Sequence, residues 1–87
     1  MFWNLHHLEH LDLSSNKLES IEPKDFSGVK TLKHLSLFNC SLKNISSSVF
    51  ENFLNLEELI LSHNQINHLD SFMFKKLTKL KTLLLNH

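Results

Sequence analysis

Leu8, Leu32, Leu56 and Leu80 stand 24 residues apart, and six further apolar columns of this 87-residue chain keep the same interval. Leu11, Leu35, Leu59 and Leu83 form the second column, and Leu13, Leu37, Leu61 and Leu85 the third. Leu18, Leu42 and Ile66 follow in step, then Ile21, Ile45 and Leu69, then Phe26, Phe50 and Phe74, then Val29, Phe53 and Leu77. The register also runs backwards, with Phe2 placed 24 residues before Phe26 and Leu5 24 before Val29. Seven columns that hold phase without an insertion define an internal repeat, and a period of this length defines a solenoid or array. The chain thus opens in the last part of one repeat (1–7), carries three whole repeats at 8–31, 32–55 and 56–79, and ends inside another (80–87).

Within each repeat the alternation Leu11-Asp12-Leu13-Ser14 has period two, which predicts a short strand with leucines inward and polar residues outward. A strand that returns in the same direction once per repeat must pair in parallel, with the remaining residues as the crossover. Strands centred on 11–13, 35–37, 59–61 and 83–85 are therefore predicted, with Phe26, Phe50 and Phe74 stacked inside the opposite wall. The leucine spacing of three then two excludes a heptad coiled coil. One repeat buries too few side chains to offset the entropy of ordering its backbone, so stability must come from stacking on neighbours. No cap is recognisable at either end, and the chain is expected to be a slice of a longer solenoid.

The pattern Leu8-x-x-Leu11-x-Leu13-x-x-Asn16-x-Leu18 resembles the core motif of the leucine-rich-repeat family. The 24-residue length with a late phenylalanine resembles the typical extracellular subclass, and the strings at 11–21 and 59–69 are most similar to Toll-like receptor ectodomain repeats. The resemblance implies an α/β-type repeat solenoid, a horseshoe segment with a short parallel sheet on its concave face and loops or short helical turns on its convex face. It further implies a recognition scaffold within a receptor-type ectodomain for innate immune sensing. Its partner would be a protein or pathogen-derived ligand, and the parent receptor would pair with itself or a relative. Such an ectodomain is extracellular, membrane-anchored or in the endosomal lumen, touching a membrane through a transmembrane segment of the parent. An extracellular adhesion or matrix protein, and a cytoplasmic adaptor that selects partners, share the same repeats.

Composition agrees with a scaffold. Nine Lys and Arg balance nine Asp and Glu, which removes the electrostatic case for nucleic acid or an anionic membrane. The longest apolar run, Leu83–Leu85, is far short of a bilayer span, and the first residues do not read as a signal peptide. One Gly and one Pro leave the turns to other residues. Asn16 and Asn64 share a column in which a buried amide can serve the turns of adjacent repeats, and Cys40 replaces them in the middle repeat, where the ladder is expected to thin. Cys40 is expected to be a buried structural thiol, since reactivity requires exposure and a lowered pKa.

The outward strand positions carry the functional information. His10 and His34 share a column with Glu58, and His63 shares one with His87; neither has a four-ligand zinc spacing, and no metal or cofactor is expected. The histidines are read as polar surface able to tune binding between neutral and acidic pH. No Gly-x-Ser-x-Gly elbow or Gly-rich loop accompanies the Ser, His and Asp residues, so no enzyme is expected. Glu9, Lys33, Glu57 and Lys81 form a surface ladder of alternating charge. Phe38, Ile60 and Leu84 are apolar where a solvated face should be polar. They are the expected centre of a ligand-binding patch, with His10, His34, Glu58 and His63 as its rim. The triplets Asn39-Cys40-Ser41 and Asn44-Ile45-Ser46 are N-glycosylation sequons, Asn44 on a turn surface and Asn39 less accessible beside Cys40.

Overall fold

The computed structural model describes residues 7–26, 28–46, 48–67 and 71–86. Phe2, Leu5, Leu69 and His87, which the repeat register and the histidine columns invoke, lie outside the described residues. Four parallel strands form one sheet: β1 (His10–Asp12), β3 (His34–Ser36), β5 (Glu58–Ile60) and β6 (Thr82–Leu84), in the order β1-β3-β5-β6. Each strand residue pairs with the one 24 positions on: Leu11 with Leu35, Leu35 with Leu59, and Leu59 with Leu83. The period read from the sequence is therefore the hydrogen-bonding register.

The strands are centred on Leu11, Leu35, Leu59 and Leu83 and end before Leu13, Leu37, Leu61 and Leu85, one residue earlier than predicted. The ladder nevertheless runs on into the following turn. Leu13, Leu37 and Leu61 donate their N–H to Ser36, Ile60 and Leu84, and Ser15, Asn39 and His63 donate to Phe38, Ser62 and Asn86. These last three donors have φ of 63°, 55° and 60°. Left-handed backbone costs an L-residue about 1–2 kcal/mol, and here the ladder bond of each residue offsets it. This column, not glycine, sets the turn.

The opposite wall contains an element that the sequence did not reveal, a two-strand parallel sheet of β2 (Ser20–Ile21) and β4 (Asn44–Ile45). Two 3-10 turns follow the same wall at Pro23–Phe26 and Ser71–Phe74, the short helical turns expected there. Between the walls lies one apolar core. Leu32, Leu35, Leu37, Leu42, Leu56, Leu59 and Leu61 are fully enclosed, while Leu8, Leu11, Leu13, Leu18, Leu80 and Leu83 are partly buried. A repeat buries its leucines completely when it has a neighbour on each side, as stacking requires. Phe26 and Phe50 are buried and Phe74 packs against them at the margin of the core. Phe50 and Phe74 stack at 6.0 Å, and Phe26 meets Phe53 edge-on at 5.6 Å.

The predicted amide ladder is present. Asn64 Oδ1 accepts from the N–H groups of Cys40 (2.8 Å) and Leu42 (3.0 Å), and its Nδ2 donates to Leu37 O and Leu61 O (both 2.9 Å). At Cys40 the ladder is thinner, as expected. Sγ donates to Leu13 O at 3.0 Å and takes the place of the amide's donor. The backbone shares the part of the amide's acceptor, with Leu18 N–H bonding Cys40 O and Asn16 N–H bonding Leu13 O.

Removing the Asn64 amide would orphan two buried N–H groups, at about 1–3 kcal/mol each. Asn64→Ala is expected to cost about 2–5 kcal/mol in urea unfolding and Asn16→Ala, at an exposed end of the ladder, less than about 1 kcal/mol. Equal losses would show that the buried amide does not join the repeats.

Candidate functional site

The parallel register places equivalent side chains of neighbouring strands beside one another, about 4.8 Å apart. On the outward face of the sheet this makes rows. His10 and His34 stack with ring centroids 4.4 Å apart and planes 6° from parallel. His34 Nδ1 in turn lies 3.3 Å from Glu58 Oε1. In the row before it, Lys33 faces Glu9 at 3.9 Å and Lys81 faces Glu57 at 3.8 Å, which turns the alternating ladder into two ion pairs. Both are solvent-exposed and add little to stability.

The following rows enclose a depression of about 370 Å³ lined by Ser14, Ser36, Phe38, Ile60, Ser62, His63, Leu84 and Asn86. Phe38 is 38% exposed and Leu84 43%, with Ile60 half-buried between them. The Phe38 ring meets the His63 imidazole edge-on at 4.9 Å, which fixes the aromatic wall. Ser14 and Ser36 hydroxyls are 2.7 Å apart, and the Ser62 hydroxyl donates to Asn86 Oδ1 at 2.6 Å. A second depression of about 350 Å³ adjoins the first, lined by His10, Leu11, Asp12, His34, Leu35, Ser36, Glu58 and Ile60.

The structure thus gathers Phe38, Ile60, Leu84 and His63 in one depression and His10, His34 and Glu58 in the other, with Ile60 common to both. Sequence reasoning missed Ser14, Ser62 and Asn86. They occupy the column of Phe38 and were available to the same reading, had the column been followed for polar as well as apolar members. Asp12 was also missed. The Ser14 hydroxyl and the Ser14 backbone N–H, which donates to Oδ1 at 2.9 Å, hold its carboxyl below the ordinary value.

Among the described residues no group of three or more His, Cys, Asp or Glu is placed to hold a metal ion, and no helix is long and apolar enough to cross a membrane. Asn44 is exposed, but on β4 and not on a turn. Asn39, expected to be less accessible beside Cys40, is exposed as well. Its left-handed conformation, at φ 55°, accompanies the separation: Asn39 is exposed where Cys40 turns inward.

Cys40 is a free, fully buried thiol. Burial pushes its pKa up, and the N–H groups of Asn16 and Ser15 offset part of this. The thiolate is the reactive form. Alkylation of the folded chain by iodoacetamide near pH 8 is expected to be at least about 100-fold slower than in denaturant. Equal rates would show Cys40 to be accessible.

Three comparisons bear on the kinship of this arrangement. No curated protein gives a significant match. A chain in the structure of the Toll–Spatzle complex, described as a molecular hub in Drosophila development and innate immunity, is similar with a TM-score of 0.85 and 24% identity. The likeness covers 93% of this chain and 11% of that one, and at this identity it concerns the fold, a leucine-rich-repeat solenoid. The family model of the BspA type leucine rich repeat region matches residues 1–87 in six copies. With its parallel strands, 24-residue register and asparagine ladder, the chain belongs to the BspA-type leucine-rich-repeat family.

Proposed function

We propose that this chain is a protein-interaction scaffold that captures a protein ligand on the outward face of its four-stranded sheet. The observation that carries the reading is the depression around Phe38, Ile60 and Leu84. Its walls are ordered by the strand register, its apolar side chains are half-buried or exposed, and polar groups surround it. An apolar centre with a polar rim is the common anatomy of a binding patch. The similar solved chain comes from a complex described as a hub in innate immunity, which supports extending the reading to a receptor-type ectodomain with a protein ligand. The exposed sequons at Asn39 and Asn44 support an extracellular setting and are proposed glycan sites.

Ile60→Asp puts a charge at the centre of the patch without touching the enclosed leucines. It is expected to weaken ligand affinity at least ten-fold, about 1.4 kcal/mol, with the fold intact by circular dichroism. Unchanged affinity in the folded variant would move the binding site off this face. Peptide mapping after amidase treatment of protein secreted from eukaryotic cells is expected to find Asn44 glycosylated. A wholly unmodified Asn44 would count against the extracellular setting.

A further inference from the structure

The two depressions on the sheet face differ in charge. The first is framed by Phe38, Ile60 and Leu84 and carries no carboxylate, whereas the second is flanked by Asp12 and Glu58. The lysines of this face are engaged elsewhere, Lys33 with Glu9 and Lys81 with Glu57. Among the described residues no lysine lies within ion-pair distance of Asp12 or Glu58, and Glu58 meets the imidazole of His34 instead. A chain of zero net charge therefore concentrates two carboxylates without a lysine partner beside an apolar hollow.

The spacing of the hollows adds a geometric condition. They share Ser36 and Ile60, and the rows of Ser36 and Phe38 lie two residues apart along the strand direction. In an extended segment, alternate side chains project to the same side at about the same interval, roughly 7 Å. The serine hydroxyls are partly spent on one another and on Asn86. Complementary charge and an apolar anchor at this spacing point to a polypeptide.

We infer that the face binds an extended segment of a protein partner, with a lysine or arginine between Asp12 and Glu58 and, two residues away, an apolar side chain among Phe38, Ile60 and Leu84. This rests on the reading of the face as protein-binding and specifies its partner. The basic group supplies register and specificity, and the apolar group supplies the desolvated anchor.

A library of short random peptides displayed on phage and selected against the whole chain tests the inference, followed by anisotropy titrations of the enriched peptides. The expected consensus is a basic residue two positions from a branched or aromatic one. Affinity is expected to fall at least ten-fold in Asp12→Asn/Glu58→Gln, a double variant that retains the acceptors for Ser14 N–H and for His34. Replacing the basic residue of the peptide by glutamine should cause a similar loss in the wild-type chain and little further loss in the double variant. Selected peptides that lack a basic residue but still depend on Ile60 would overturn this inference and leave the protein-binding face standing. Peptides indifferent to Ile60→Asp, or none selected, would overturn both. Self-association abolished by Ile60→Asp in sedimentation would identify a second copy of the chain as the occupant and overturn the inference.

Discussion

The carboxamide of Asn64 is the contact on which the middle of this solenoid depends. A strand that must return in the same direction every 24 residues needs a sharp exit from the sheet, and that exit is buried against the next repeat. Buried backbone groups require partners. Asn64 provides them on both sides of the junction. It accepts from Cys40 and Leu42 in the repeat before and donates to Leu37 across the junction and to Leu61 in its own turn. A hydroxyl has too few donors for this arrangement, and a carboxylate would lack the donors altogether. The left-handed residues Asn39 and His63 stand one position earlier and extend the ladder through their own N–H groups. The turn is thereby fixed without a glycine.

That rigid register converts a linear sequence into a surface. Because partners across the sheet are 24 positions apart, residues far apart in the chain become neighbours about 4.8 Å apart. The His10–His34 stack, the Lys33–Glu9 and Lys81–Glu57 pairs and the Ser36–Ile60–Leu84 row all arise in this way. The inward positions are committed to the core by their leucines. The outward positions are free to vary, and substitution of polar by apolar residues there shapes the hollow without disturbing the repeat.

Much of this was legible in the sequence because the strongest signals were periodic. The columns of Leu8, Leu11 and Leu13 set the strand pairing, and Phe38, Ile60 and Leu84 were recognisable as apolar residues on a polar face. What escaped was local. The pair β2 and β4 spans two residues in each repeat, too few for alternation to register. The left-handed backbone of Ser15 and His63 had no compositional signal, since neither glycine nor a strong turn former marks it. The strand ends were displaced by one residue because the ladder bonds of Leu13 and Leu37 continue into a turn whose geometry is no longer extended. Asp12 became relevant to the site once the structure showed which carboxylates the lysines had already neutralised.

The position of the hollow within the array follows from the same junction chemistry. Cys40 offers a single weak donor to Leu13 O, and the backbone of the first full repeat rearranges around it. Asn64 makes its bonds across the following junction, between the repeat that bears Phe38 and the one that bears Ile60 and His63. Phe38 directly follows Leu37, whose carbonyl accepts from the Asn64 amide, and His63 directly precedes Asn64. The two rings that meet at 4.9 Å are thus each one bond of chain away from the best-clamped point of the fold. A binding surface gains from walls whose conformation is settled before the ligand arrives, because less ordering entropy is lost on association. The apolar wall stands at the junction with the fuller side-chain clamp, and the charged hollow around Asp12 spans the junction where a thiol takes the amide's place.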